Sequence, residues 1–362
     1  MASGVNVVMR PLDQKAMHPM ARDAAKNKPG KRDPAVSVLI VAYQSGEYLS
    51  QCIAALEAQT FGDFEILMVD NASTDGAPQA AARAFPKVQL IEAGTNLGFA
   101  AGMNLAASRA AGDWLALINP DAFAAPDWLA TLMEATRGHP GVKAFGCRQI
   151  MDDGSGRLDG LGDVMALPGF PFRGGYGHPD PGPVAGGEIF STCGGAMLMD
   201  RATFDGLGGF DERLFCYCED VDLGYRMRLS GMPSRVIPEA VVRHVGSAST
   251  GGPRSDFAVF HGSRNRIWVF IKNTPPVLFW LTLPLHILTT LVLFARHASR
   301  GELAAPMRGV RAAMAGLPMI LAARRDTQAQ RRVTSWDIAR AMTWNPLDLL
   351  LRRVVIQRST PR

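Results

Sequence analysis

Four acidic residues stand out by where they fall: Asp70, Asp121 and the adjacent pair Glu219-Asp220. Asp70 closes the apolar run FEILMVD. Asp121 ends Asn119-Pro120-Asp121, just after a second apolar run, and Glu219-Asp220 opens EDVDLGYRMRLSG. Carboxylates are hard oxygen ligands for a divalent cation, and such a cation suits a departing diphosphate. A separate carboxylate can take the proton of an attacking hydroxyl. The set therefore fits group transfer from a nucleoside diphosphate. Asp70 would serve the nucleotide, Asn119 and Asp121 the ribose and metal, and one acid of the pair the proton. Each residue also has a plainer role to set against this. Asp70 could close a turn, and Asp121 could cap a helix near Pro126. Asp220 could pair with Arg226 or Arg228 along a helix face, and His244 could be a buried structural imidazole. Gly194-Gly195 fits a close backbone approach to a ligand, or an ordinary turn.

Such residues need a scaffold that gathers them. VSVLIVA (36–42), FEILMVD (64–70), VQLIEA (88–93) and DWLALIN (113–119) are short apolar runs, as in strands buried on both faces. Helical patterns fall between them at 47–59, 77–84 and 98–111, the second preceded by the capping groups of Ser73-Thr74-Asp75. Alternating strand and helix predicts a parallel, doubly wound α/β sheet, with ligands beyond the carboxyl ends of its strands. Asp70, Asp121 and the turn Ala42-Tyr43-Gln44 all fall at that edge. The first strand leads into AYQSGEY rather than GxGxxG, which argues against a bound dinucleotide, and no GxxxxGK[ST] loop occurs. Residues 150–190, rich in Gly and Pro, read as long loops over the site. Residues 219–229 read as a helix.

Charge and hydropathy divide the chain. From Lys272 onward lie fourteen of the 38 basic residues and four of the 33 acidic ones, so the positive surplus belongs to the C-terminal quarter. The same quarter holds VLFWLTLPLHILTTLVLFA (277–295), uncharged for 19 residues and long enough to cross a bilayer. Pro284 and His286 near its middle favour an in-plane or re-entrant helix over a simple span. Basic residues beside an apolar anchor, including Arg308, Arg311, Arg324 and Arg325, point to anionic lipid rather than nucleic acid. Residues 1–35 contain no leader-like apolar core and read as a disordered basic arm. The five cysteines, without CxxC pairs, read as reduced thiols in a cytosolic compartment.

VSVLIVAYQSGEYLSQCI, VDNASTDG, NLGFAAGMN, LINPDA, GGFDERLF and YCEDVDLGYRMRLSG, in this order, resemble the family 2 glycosyltransferases. They look most like the bacterial rhamnosyltransferase-type branch that acts on surface polysaccharides and cell-wall linkers. The resemblance covers roughly residues 36–250. It implies a GT-A fold, a Rossmann-like sheet merged with a smaller acceptor-binding sheet, here over residues 36–271. A helical, membrane-associating extension would occupy 272–362. It also implies an inverting, metal-dependent sugar transfer onto a hydroxyl of a glycan or polyprenyl-linked acceptor, at the cytoplasmic face of the inner membrane. By the same resemblance, Ala42 and Tyr43 line the nucleotide base and Asp70 hydrogen-bonds it. Asn96 and Gly195 belong to the nucleotide-sugar pocket, and Asn119 faces the ribose. Asp121 with His244 binds Mg²⁺ or Mn²⁺, and Asp220 is the catalytic base. The chain departs from the pattern at Asn119, where the family has the first acid of its DxD motif, and at Met232, where tryptophan is usual. The QxxRW signature of processive synthases is missing, which implies transfer of one or a few sugars. Rhamnose is the favoured sugar. Galactose, mannose and N-acetylglucosamine remain open, as do a non-catalytic carbohydrate-binding scaffold on the same fold and the oligomeric state.

Overall fold

The computed structural model describes residues 32–246, 251–252 and 254–357. The basic arm expected at 1–35 lies outside them except for its last four residues. Four strands come first: β1 (Val36–Ala42), β2 (Phe64–Asp70), β3 (Val88–Glu92) and β4 (Trp114–Ile118). They pair in parallel in the order β3-β2-β1-β4. The helices between them are α1 (Gly46–Glu57), α2 (Ala77–Ala84) and α3 (Gly98–Arg109). Strand β1 shows why its sequence is apolar but for Ser37. Val38 and Ile40 enter one core with Leu49, Cys52 and Ile53 of α1. The alternate residues Leu39 and Val41 enter a second core with Met103 and Ala106 of α3. Each such side chain contributes about 1.5–3 kcal/mol by leaving water.

The sheet then continues with a change of direction. β5 (Ala122–Ala124), α4 (Trp128–Gly138) and β6 (Ala144–Met151) follow β4. β7 (Leu158–Gly160), β8 (Asp163–Ala166), β9 (Phe170–Arg173) and β10 (Gly187–Ile189) lead to β11 (Ala196–Asp200) and α5 (Arg201–Gly206). Helix α6 (Glu219–Leu229) and β12 (Ser234–His244) complete this half. Strand β11 inserts antiparallel between β4 and β6, and β12 lies outside β6, so the full order is β10-β12-β6-β11-β4-β1-β2-β3. The parallel and mixed halves thus form one continuous α/β sheet. The stretch 150–190, expected as long loops, is built largely of short strands and tight turns. Glycines supply the backbone this needs: Gly162 and Gly169 turn the chain at φ +82° and +74°. Their frequency is what mimicked a loop in the sequence.

The remaining helices are α7 (Asp256–Asn273), α8 (Pro276–Ala298), α9 (Ala304–Ala315), α10 (Leu317–Ala329), α11 (Ser335–Ala341) and α12 (Pro346–Leu351). Helix α7 packs against α9 and α10, and touches α6. A third apolar core joins Tyr225 and Leu229 of α6 to Trp268 and Val269 of α7 and to Ile320 and Ile338 beyond. The apolar run is the 23-residue helix α8, the one described helix long and apolar enough to cross a bilayer. It is docked along one side. His286 stacks on Phe270 of α7 with ring centroids 4.0 Å apart, and its Nδ1 donates to the Pro168 carbonyl at 2.8 Å. The imidazole that argued against a span in hydrocarbon is turned toward protein, one nitrogen bonded and Nε2 buried without a partner among the described residues. The opposite side, with Trp280, Leu281, Leu288 and Leu291, is exposed.

Candidate active site

The carboxyl ends of β1 and β2 form the first part of the site. Ala42 ends β1 opposite Asp70 at the end of β2. The Ala42 carbonyl accepts the Asn71 N–H at 2.9 Å, which joins the two strand ends. Tyr43, half-buried, donates its backbone N–H to Ser45 Oγ at 3.2 Å. Asp70 is buried; its Oδ1 accepts the Ser73 N–H and its Oδ2 the Gln79 side chain, each at 2.8 Å. The plain turn-forming role is therefore real for Asp70, and the second lone pair of each oxygen is what a ligand could use. Asn96, exposed, accepts from the Asn71 side chain and from the Gly98 N–H, both at 3.0 Å, and so shapes the entry to α3.

The second part gathers Asn119, Asp121, Gly195 and His244. Asn119 follows β4, and its N–H donates to the Gly195 carbonyl at 2.9 Å. Strand β12 carries a bulge between Ile237 and Val241, around Pro238, and its far end pairs with β5. That pairing sets His244 opposite Ala122 and brings its Nε2 to 3.2 Å from Asp121 Oδ1 and 3.3 Å from the Asn119 side-chain nitrogen. Asp121 faces this histidine rather than capping a helix. On the other side, His244 Nδ1 lies 2.7 Å from Asp159 Oδ2, and Asp159 is held in turn by Arg173. Gly195 is held small by its surroundings, since a β-carbon there would lie 3.0 Å from Gln149 Oε1 and 3.4 Å from His244.

The electrostatics of this group follow from burial and pairing. Burial pushes Asp159 up, but Arg173 and the His244 bond more than reverse it, so its carboxyl sits below the usual range. An ionised Asp159 only accepts, so His244 Nδ1 carries the proton. Burial alone would lower His244, yet its bonds to Asp121 and Asp159 raise it to about 9. The imidazole thus bridges two carboxylates as a cation. A divalent ion would displace the Nε2 proton and find an imidazole nitrogen beside a carboxylate, with Asp159 orienting the ring from behind. The donor set fits Mg²⁺ or Mn²⁺.

The third part is Asp220, at the start of α6. Its Oδ2 accepts the Gly194 N–H at 2.8 Å and its Oδ1 the Val221 N–H at 2.7 Å. The Ser191 hydroxyl donates to its carbonyl at 3.0 Å. The Gly194-Gly195 peptide thus joins Asp220 to the Asn119–His244 group, both glycines being needed for the approach. Asp163, Cys193 and Asp220 bring their ligand atoms within 4.8 Å of one another. Burial first, and then Asp220, push the Asp163 carboxyl well above the carboxylate range. Sequence reasoning missed Asp159, Asp163 and Arg173. The signal was available in Asp159-Gly-Leu-Gly-Asp163, two acids spaced by glycines, but it lay in the stretch read as loops.

Four parallel strands, a carboxylate–imidazole pair after the fourth, and an acid-bearing helix against the mixed half define a nucleotide-sugar transferase of the GT-A class. The sequence model of Glycosyl transferase family 2 matches residues 37–208. The chain is 34% identical over 254 residues to N-acetylglucosaminyl-diphospho-decaprenol L-rhamnosyltransferase of Mycobacterium tuberculosis, covering 62% of this chain and 81% of that protein. Among solved structures, a mannosyltransferase from Pyrobaculum calidifontis in complex with GDP-Man and Mn²⁺ is similar with a TM-score of 0.52 at 19% identity. The likeness covers 83% of this chain and 86% of that one. GalNAc-T7 with UDP, GalNAc and Mn²⁺ is similar with a TM-score of 0.59 at 15% identity, over 89% of this chain and 58% of that one. The chain belongs to the family 2 glycosyltransferases and is a hexosyltransferase-type enzyme.

Proposed function

We propose that this enzyme transfers one hexose, with L-rhamnose favoured, from a nucleoside-diphosphate donor to a hydroxyl of a lipid-linked glycan, with inversion, in the building of cell-envelope polysaccharide. The observation that carries this reading is the Gly194–Asp220 bond, which sets a half-buried carboxylate one peptide from the Asn119–Asp121–His244 group. Asp220 takes the acceptor's proton as the acceptor oxygen attacks the anomeric carbon. The bond from that carbon to the diphosphate oxygen breaks, and its electron pair leaves with the nucleoside diphosphate. Ala42, Tyr43 and Asp70 hold the nucleotide base, Asn96 and Gly195 border the donor, and Asn119 meets the ribose. Asp121 and His244 would hold Mg²⁺ or Mn²⁺, which when bound neutralises charge developing on the leaving diphosphate. Residues 36–271 carry the transfer. Residues 272–362 hold the enzyme at the cytoplasmic face of the membrane, the exposed side of α8 lying in anionic lipid. The rhamnose and lipid-linked assignments draw on the mycobacterial relative. The test is turnover of purified full-length enzyme with a panel of nucleotide sugars and a prenyl-diphosphate-linked sugar acceptor, read as released nucleoside diphosphate. The rhamnose donor should be turned over fastest. Turnover with none would leave a carbohydrate-binding scaffold as the reading.

A further inference from the structure

A pocket of about 280 Å³ lies away from the strand ends, between the first turns of α7, the end of α8 and the segment after α12. Arg254, Arg266, Arg300, Arg352, His297 and Glu302 line it. Four guanidinium groups thus face one carboxylate, which is a site for a ligand of several negative charges. Arg266 is the innermost. It lies over the Phe170 ring at 4.4 Å, and its Nε is buried without a hydrogen-bond partner among the described residues. Arg352 is held in the left-handed backbone region at φ +48°, uncommon for a residue with a β-carbon, and lies over the Tyr176 ring at 5.0 Å.

The position of the pocket narrows the ligand. Arg266 lies over Phe170, whose ring is 4.9 Å from His286 at the inner side of α8, and its neighbour Asn265 donates to the carbonyls of Cys216 and Tyr217 just before α6. The pocket therefore lies between the start of the base-bearing helix and the helix whose outer side is apolar and exposed. An amphiphile with a polyanionic centre fits this order, with apolar chain on α8, charge among the arginines and reactive end at Asp220. We propose that the pocket binds the diphosphate of a prenyl-diphosphate-linked acceptor, held by Arg266 together with Arg300 and Arg352. This rests on the lipid-linked reading above and adds the residues that recognise the acceptor. The donor's diphosphate is assigned elsewhere, beside Asp121.

Farnesyl diphosphate is a suitable probe, titrated calorimetrically into the full-length protein and an Arg300→Ser/Arg352→Ser double variant. Both positions are exposed, so folding is retained, and equal melting temperatures will verify it. The dissociation constant for farnesyl diphosphate should rise at least about tenfold in the variant. That for the nucleoside diphosphate should stay the same, and farnesyl monophosphate should bind wild type more weakly than the diphosphate. An unchanged farnesyl diphosphate affinity overturns the proposal. So does a loss confined to phosphatidylglycerol vesicles, which would mark a lipid-headgroup site, or an equal loss of nucleoside diphosphate, which would mark a donor site. Failure of the wild-type enzyme to transfer any sugar to a prenyl-diphosphate-linked acceptor would instead sink the functional reading, which this binding assay does not depend on.

Discussion

Three acids stand within four residues at the start of α6, and their surroundings give them different tasks. Glu219 is buried; burial first, and then Asp220, push its carboxyl well above the usual range, which disfavours the charged form a base needs. Asp222 is fully buried but paired, with Arg226 Nε at 2.8 Å, Lys272 Nζ at 2.7 Å and the Asn273 amide at 2.7 Å. Asp220 alone is half-buried and held by two backbone N–H groups, which orient a carboxylate while leaving lone pairs for a substrate hydroxyl. The ordinary helix-face pairing weighed for Asp220 belongs to Asp222. Replacing Asp220 by Asn should therefore lower kcat about 10²-fold or more with donor affinity and melting temperature kept. Asp222→Asn should instead lower the melting temperature. Near-normal turnover by the first variant would remove Asp220 as the base. Asp159 touches His244 from behind, at Nδ1. Asp159→Asn should weaken Mn²⁺ binding about 10–100-fold, measured by titration in the presence of nucleoside diphosphate. Mn²⁺ affinity equal to wild type would show that His244 is not a ligand or needs no orientation.

The elements explain how much could be read in advance. Strands β1, β2 and β4 were legible because each is a mostly apolar run, and the acids at or just past their ends were legible because a strand end in a parallel sheet is where ligands lie. The mixed half was not, because β7 to β10 are three or four residues long and carry no period to detect. The loop before α6 was also illegible in detail. Phe215, Tyr217 and Cys218 all have positive φ, at 64°, 71° and 66°, which no pattern of residue types announces. Such a loop persists only if its surroundings over-determine it. Asn265 of α7 does this, its amide within 2.8 Å of the carbonyls of Leu214 and Cys216 and 2.7 Å of that of Tyr217. Asn265→Ala should lower kcat more than donor affinity, because the loop delivers Asp220 but not the nucleotide contacts. A change in donor affinity with kcat unaltered would contradict that. Lys272 pins the same helix by bridging Asp211 and Asp222. Burial would raise both acids, but Lys272, with Arg213 at Asp211 and Arg226 at Asp222, draws both below the usual carboxylate range. Their folded pKa values are depressed, so the stabilisation is complete above the unfolded value of about 3.9 and is lost as pH falls through the folded values. Calorimetry from pH 7 downward should show the melting temperature falling below about pH 4. Lys272→Met should lose about 3–5 kcal/mol at pH 7, since two buried acids lose their shared cation. A variant as stable as wild type at pH 7 would show that Arg213 and Arg226 suffice.

At the scale of the whole molecule, the proposed membrane contact rests on α8. A helix that crossed the bilayer would present apolar side chains all round, and its inner side would have no protein to touch. Here one side is committed to the catalytic half through His286, Leu278 and Thr282, all buried. The other side exposes Trp280 and Leu281 at 70% and Leu288 and Leu291 at 58%. Such a two-sided helix suits the plane of an interface better than a span, and Pro284 lies inside it. Charge adds to this, because the whole surplus of basic residues lies in the C-terminal quarter. Each one near an anionic surface contributes about 1 kcal/mol, screened beyond roughly 8 Å at physiological ionic strength. The two terms can be separated. Full-length enzyme should float with vesicles containing phosphatidylglycerol, and high salt should release part but not all of it. Trp280→Ser/Leu288→Ser, both exposed and outside the cores, should keep its melting temperature and lose the salt-resistant fraction. Wild type that needs detergent for release would mark α8 as spanning, with a different face of the fold toward the cytosol. Equal flotation of variant and wild type at high salt would show that the apolar side of α8 meets something other than lipid.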